Sequence, residues 1–148
     1  TPVFFHAGLA DAAFSPFNRK RTYELLGSRA QVAVIPDLWH DNVSNFANEN
    51  VYAYMSDRLL GTARRVSVLA EVKNGTLFLS VSGPVDRAEL LYTDGEGDPH
   101  KLLWNSAEIA VEDGRAEIDL PKGAKFVCAT VYYGDGLYTS SDLFEVVR

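Results

Sequence analysis

Residues 31–42 read "QVAVIPDLWHDN", a continuous apolar run that ends in a loop with one histidine, His40. A short apolar run without alternation is typical of a strand that is buried on both faces of a parallel sheet. Open parallel sheets place their functional groups in loops at the carboxyl ends of the strands. His40 is therefore a candidate catalytic base, and the alternative is a loop histidine with no chemical role.

The sequence on both sides of this run predicts a β-α-β-α order for residues 1–62. An earlier apolar run, "PVFFHAG", predicts a first strand. Between the strands, Ser15 as N-cap, Pro16 at the first helical position and Gly27 as C-cap bound a helix. A longer helix is expected over about 44–60. Its apolar ridge would consist of Ala47, Val51, Met55 and Leu59, spaced by four residues.

Residues 66–148 have a different pattern, with short alternating runs separated by turn signals. Asn74-Gly75 between two such runs is a strong signal for a two-residue hairpin. The pattern predicts seven or eight strands in an antiparallel immunoglobulin-like or fibronectin-like sandwich. The expected fold class is thus an α/β fragment (βαβα, parallel strands) at 1–62, followed by a separate all-β Ig-like sandwich at 66–148.

Composition excludes several classes of partner and site. The chain has 148 residues and a net charge of −6, and its Lys/Arg clusters are short and isolated. We therefore expect it to bind neither nucleic acid nor a membrane surface. The single cysteine, Cys128, excludes an internal disulfide and a multi-cysteine metal site. We expect no metal and no cofactor.

Asp11 is the candidate partner of His40. The first strand runs into "GLAD", which ends at Asp11, and adjacent parallel strands would bring this loop beside His40. A carboxylate bonded to one imidazole nitrogen fixes the tautomer and leaves the other nitrogen free to take a proton. Asp37 is a second candidate for the acid. Trp39 either lines a substrate pocket or packs under the loop.

The order of these motifs resembles a known family. Gly8-Leu9-Ala10-Asp11, then Phe14-Ser15-Pro16, then "VAVIPDLWHD" resemble the C-terminal end of an α/β-hydrolase. The resemblance implies that Asp11 is the acid and His40 the histidine of a catalytic triad. With an appended β-sandwich, the chain looks similar to bacterial serine esterases or peptidases, including acetyl-xylan-esterase-like and PhoPQ-activated pathogenicity-related proteins.

The nucleophile of that family has no counterpart in the sequence. It sits on a G-x-S-x-G elbow upstream of the acid, and no such motif occurs here. The resemblance therefore implies a C-terminal fragment of a serine hydrolase, inactive alone, acting on a small ester or peptide substrate. Its expected partners are the remainder of the parent hydrolase domain and a second copy, through the exposed strand at 2–6.

The alternative function is a non-catalytic module. In that case the βαβα part is a scaffold, and the β-sandwich binds a carbohydrate or a protein. The sandwich aromatics that could form a sugar-binding platform are Trp104, Tyr132, Tyr133 and Tyr138.

Overall fold

The computed structural model describes residues 2–61, 66–134 and 136–147. The elements before residue 62 are β1 (Val3–Gly8), α1 (Pro16–Leu26), β2 (Ala30–Ile35), α2 (Asn42–Phe46) and α3 (Glu49–Leu60). The later elements are β3 (Ser67–Lys73), β4 (Thr76–Ser82), β5 (Arg87–Thr93), β6 (Asn105–Ile109), β7 (Arg115–Asp119), β8 (Phe126–Tyr133), β9 (Leu137–Ser140) and β10 (Phe144–Glu145). None of the helices in these ranges is long and apolar enough to cross a membrane.

The strands form two sheets, and the larger one runs through both parts of the chain. Its order is β1-β2-β9-β8-β5-β6, with β10 beside the first residues of β8. β1 and β2 are parallel, as expected, but β2 pairs antiparallel with β9. The smaller sheet has the order β3-β4-β7, and β3 and β4 are joined by the predicted Asn74-Gly75 turn, with positive φ at both residues.

The predicted fold class is therefore wrong. The protein is mostly β, and its parallel strands are the margin of a mixed sheet rather than an α/β fragment that precedes a separate Ig-like sandwich. The physical reason is that β2 has a second edge with free backbone hydrogen-bonding groups, and β9 from the later part of the chain pairs with some of them. The division into 1–62 and 66–148 stays a prediction, because its boundary falls at residues 62–65, which lie outside the described ranges.

Two apolar clusters lie on opposite sides of the larger sheet. The first joins that sheet to the smaller one through buried side chains such as Leu79 on β4, Leu90 on β5 and Val131 on β8. The second lies between the larger sheet and α1, where Tyr23 packs with Val34, Leu91 and neighbouring side chains. Val32 and Val34 of β2 belong to the second cluster, and Ala33 between them is also buried, which explains why β2 reads as a continuous apolar run.

Hydroxyl groups join β2 to the later strands. The backbone N–H of Val34 donates to Ser140 Oγ at 3.0 Å, and Thr139 Oγ1 donates to the carbonyl of Val32 at 3.2 Å. Ser140 Oγ also lies 3.0 Å from Thr130 Oγ1 on β8. All three hydroxyl-bearing residues are buried. We call these three, Thr130, Thr139 and Ser140, the hydroxyl seam, because side chains replace much of the backbone ladder at this junction.

α1 begins and ends where the sequence predicts. Ser15 Oγ accepts a hydrogen bond from the backbone N–H of Phe17 at 3.2 Å, and Pro16 is the first helical residue. Gly27 follows the last helical residue with φ of +52°, and its N–H donates to the carbonyl of Tyr23. This helix can be predicted because both of its ends are determined by residues next to it in the sequence.

The long helix predicted over 44–60 is wrong in two respects. It is broken into α2 and α3 at Ala47 and Asn48, and the Asn48 side chain caps α3. The predicted apolar ridge also faces outward, since Met55 is 52% exposed and Leu59 is 78% exposed. The buried positions are Asn50 and Asp57. Asn50 Oδ1 accepts a hydrogen bond from the backbone N–H of Tyr138 on β9, so a polar side chain docks this helix.

β1 is the outermost strand of the larger sheet. Among the described residues it pairs on one side only, with β2. Both of its faces are partly covered by the protein's own helices, because Phe4 stacks on Tyr54 of α3 at 4.9 Å and Phe5 contacts Tyr23 of α1 at 4.6 Å. What remains open is therefore backbone along the outer edge.

We expect two copies of the protein to pair along this edge of β1. The N–H of Leu9 bonds to Ile35 on β2, so by alternation the N–H of Phe4 points away from β2 and can bond to another strand. Phe4→Pro removes this donor and should give a monomer at micromolar concentration in sedimentation velocity. Phe4→Leu, which keeps the donor and removes the ring, should remain dimeric. A monomeric unsubstituted protein would exclude the edge as an interface.

Candidate functional site

Two loops meet at the carboxyl ends of β1 and β2. Gly8 and Ile35, the last residues of these strands, are partners in the parallel register. After β1 the chain turns, and the N–H of Asp11 donates to the carbonyl of Gly8 at 3.3 Å. After β2 it continues through Pro36 to His40. The geometry that parallel pairing predicts for Asp11 and His40 is present.

Asp11 and His40 are in contact. The distance between His40 Nδ1 and Asp11 Oδ2 is 3.2 Å. The Asp11 carboxylate is buried, whereas the His40 side chain is 53% exposed. A carboxylate can only accept a hydrogen bond, so its position assigns the proton of the neutral ring to Nδ1. The Nε2 atom is then left with a free lone pair, and no described residue hydrogen-bonds to it.

The second oxygen of Asp11 organises its own loop. Asp11 Oδ1 accepts hydrogen bonds from the backbone N–H groups of Ala13 and Phe14, both at 2.8 Å. Burial opposes ionisation of this carboxyl, but the bonds from Phe14, His40 and Ala13 outweigh it and lower its pKa below the ordinary value. Asp11 is thus both a turn aspartate and the partner of His40, and it is ionised at neutral pH.

The His40 loop is fixed on both sides. The His40 ring lies 5.1 Å from the ring of Phe14, over which the Arg19 guanidinium packs at 4.4 Å. On the other side, Asp41 caps α2 by accepting from the backbone N–H of Ser44 at 2.7 Å. These contacts limit how far the imidazole can move from Asp11.

Gly8 lets the two loops approach each other. A Cβ atom at this position would lie 2.1 Å from the carbonyl oxygen of Leu38, in the loop that leads to His40. The sequence shows a glycine three residues before Asp11, but it does not show that the opposing backbone occupies the space of the missing side chain.

The other site candidates from the sequence are placed apart from this contact. Asp37 makes no hydrogen bond or ion pair with the described residues, so it is not the partner of His40. Trp39 is 65% exposed and lines a cleft of about 500 Å³. Cys128 is fully buried, and burial raises the pKa of its thiol to about 12, so it is not a thiolate nucleophile. Within the described ranges, no three His, Cys, Asp or Glu side chains are grouped to hold a metal ion.

A polar cluster on β5 and β8 was missed by the sequence analysis. Tyr132 Oη donates to Glu89 Oε2 at 3.1 Å, Arg87 pairs with Glu89, and the Arg87 guanidinium stacks on the Tyr132 ring at 3.7 Å. Arg87 and Tyr132 are direct partners across the two strands. Only the strand register brings Tyr132 to Arg87 and Glu89, so no local signal could have indicated the whole cluster.

Comparison with known proteins gives little similarity. No family model and no curated protein matches the chain. Two solved chains match, both of pectate lyase Pel3 from Pectobacterium carotovorum. The first is 13% identical with a TM-score of 0.37, and covers 56% of this chain and 26% of that one. The second is 14% identical with a TM-score of 0.34, and covers 53% of this chain and 26% of that one. The protein thus spans about a quarter of the lyase, and this likeness carries no argument about fold or activity.

The resemblance to an α/β-hydrolase is wrong. The protein is mostly β, and its two parallel strands belong to a mixed sheet whose other strands pair antiparallel. The assignments to serine esterases or peptidases with a catalytic triad, including the acetyl-xylan-esterase-like and PhoPQ-activated pathogenicity-related types, are overturned with it. The motifs were misleading because a short parallel pair with loops at its carboxyl ends also occurs at the margin of a mixed sheet.

Proposed function

We propose that Asp11 and His40 act as a carboxylate–imidazole pair that transfers a proton during hydrolysis of an ester or peptide bond. The observation that carries this proposal is the 3.2 Å contact between Asp11 Oδ2 and His40 Nδ1, in a histidine whose side chain is 53% exposed. The proposal rests on the geometry of these two residues and on no family relationship.

The chemistry follows from the assigned tautomer. His40 Nε2 takes the proton of an attacking hydroxyl group or water as that oxygen bonds to the carbonyl carbon. The carboxylate of Asp11 stabilises the imidazolium that forms. The imidazolium then returns the proton to the leaving oxygen or nitrogen as its bond to the carbonyl carbon breaks.

The attacking group comes, in this proposal, from outside the described residues. No hydroxyl or thiol of the described residues hydrogen-bonds to His40, and Cys128 is buried within β8. A general base without a positioned nucleophile and without donors for the developing oxyanion gives little acceleration. We therefore infer that residues 1–148 contribute the acid and histidine, and that another polypeptide segment or chain contributes the rest.

Asp11→Asn tests the proton-transfer role of the pair. The Asn oxygen can still accept from Ala13 and Phe14, while its amide group would donate to His40 Nδ1 and move the ring proton to Nε2. We expect nitrogen-15 NMR of the neutral ring to show Nδ1–H in the unsubstituted protein and Nε2–H in the variant. Modification of Nε2 by diethyl pyrocarbonate, mapped by mass spectrometry, should slow accordingly.

Asp41→Asn is the matched control, because it neutralises the carboxylate next to His40 and retains the oxygen that caps α2. It should leave the tautomer and the modification rate unchanged. If both variants retain Nδ1–H on His40, Asp11 does not set the tautomer and the proposed pair does not exist in solution.

A further inference from the structure

A cleft of about 500 Å³ lies next to the candidate site, between the first part of the chain and the later strands. Ala10 and Trp39, the immediate neighbours of Asp11 and His40, contribute to one wall. The opposite wall comes from β5, from Tyr132 on β8 and from the loop between β5 and β6. The volume is typical of clefts that bind small molecules.

Aromatic rings from separate parts of the chain line this cleft. They are Trp39, which is 65% exposed, Trp104, which is half-buried, and Tyr132. Leu103 beside them is 86% exposed. Large flat apolar groups left open in a concave surface are typical of a binding site. Of the predicted sugar-binding platform, Tyr133 lies in the apolar core. Tyr138 does not line the cleft, and its ring lies 5.7 Å from that of Tyr132 while its Oη accepts a hydrogen bond from Asn48.

Polar groups stand among these rings. The Glu89 carboxylate is held by Tyr132 and Arg87 and is therefore oriented before any ligand arrives. Asp37, Asn105 and Ser106 add further acceptors and donors. Trp104 Nε1 and His100 Nδ1, in residues of the same wall, are buried and make no hydrogen bond with described residues. A buried polar atom without a partner destabilises a protein, so these two atoms are candidates for a hydrogen bond to a ligand if binding exposes them.

The chemistry of the cleft selects among ligand classes. Lys101 is the one lysine or arginine among the described residues that line it, whereas Asp37 and Glu89 are carboxylates. Phosphates and other polyanions therefore do not fit. A plain acyl chain would leave the carboxylates and amide unpaired. A neutral sugar presents C–H groups that pack on aromatic rings, and hydroxyl groups that bond to carboxylates and amides.

We propose that this cleft binds a neutral saccharide, stacked on Trp39 and Trp104 and hydrogen-bonded to Glu89. The binding does not depend on hydrolysis, so this inference stands or falls separately from the proton-transfer role of His40. In this proposal, Trp39 and Trp104 contact the same ligand from opposite walls of the cleft. The sugar would contact the cleft wall formed by Ala10 and Trp39, the residues that precede Asp11 and His40 in the sequence.

The two tryptophans of the chain both line the cleft, so their indole N–H signals report on it directly. We expect both signals to shift saturably in proton–nitrogen NMR when neutral xylo-, malto- or cello-oligosaccharides are added. Trp39→Ala and Trp104→Ala should each weaken binding about tenfold, which corresponds to about 1.4 kcal/mol. Tyr52→Ala, an exposed aromatic residue of α3 that does not line the cleft, should bind as the unsubstituted protein does.

The outcomes separate the alternatives. Absence of shifts with the whole oligosaccharide panel overturns the proposal. Shifts caused only by a lysine-containing peptide also overturn it and identify the cleft as a cationic peptide site. Saccharide binding that survives in His40→Ala, together with a tautomer unaffected by Asp11→Asn, would support the saccharide site and reject the proposed proton-transfer pair.

Discussion

Replacing His40 by alanine is expected to lower kcat for ester or peptide hydrolysis by about 10⁴-fold in the complete gene product, because the attacking group loses its base. The comparison is made on the natural protein with all the residues that its gene encodes, using activated esters and short peptides. KM should change little, since the proposed role of His40 is in the chemical step rather than in substrate binding. Asp41→Asn, which retains the cap of α2, is the control and should keep the activity.

The same activity assay on residues 1–148 alone should give no turnover above that of free imidazole. The reason is that no hydroxyl or thiol of the described residues hydrogen-bonds to His40, although the contact between Asp11 and His40 is already in place. A His40→Ala variant of the complete protein with near-normal kcat would show that His40 is not the base.

Gly8→Ala is expected to destabilise the protein by about 3 kcal/mol, near the upper end for overpacking in a well-packed region. The added Cβ would lie 2.1 Å from the Leu38 carbonyl oxygen, which is backbone and cannot rotate away. The loop that carries His40 must therefore shift away from β1 and lengthen the contact with Asp11. Chemical denaturation measures the stability, and NMR of the His40 Nδ1–H group measures the contact.

Gly95→Ala provides the matched control for this substitution. Its Cβ would meet the end of the Leu102 side chain at 2.8 Å, and a leucine side chain can adopt another rotamer. The control should therefore cost much less stability and leave the His40 signal in place. A Gly8→Ala protein as stable as the unsubstituted one would mean that the loops are held apart in solution.

Local determinants made part of this fold predictable from the sequence. Ser15, Pro16 and Gly27 mark the ends of α1 because each acts on backbone groups only a few residues away. Asn74 and Gly75 similarly determine a hairpin between strands that are adjacent in sequence. The contact between Asp11 and His40 was predictable for a related reason: it needs only the pairing of two consecutive parallel strands.

Non-local pairing made the rest unpredictable. Nothing in the sequence near β2 indicates that β9 will satisfy its second edge, and this pairing decides that the sheet is mixed. The orientation of α3 was wrong for the same reason. Asn50 is buried because the backbone N–H of Tyr138 requires an acceptor there. Hydrophobic spacing alone predicts that Met55 and Leu59 face inward, but both are exposed. The cleft is lined by residues from both parts of the chain, so it could not be predicted from the sequence either.

The hydroxyl seam sets the order in which the protein can be completed during synthesis. The Val34 amide and the Ser140 hydroxyl that accepts from it are 106 residues apart in the chain. β2 emerges from the ribosome before β9, and among the described strands it has no antiparallel neighbour until β9 has been made. The backbone groups on one edge of the β1–β2 pair therefore lack these partners while about a hundred more residues are added. Contacts of such sequence separation close slowly, so we expect β2 to reach its native pairing only after the later strands have been made.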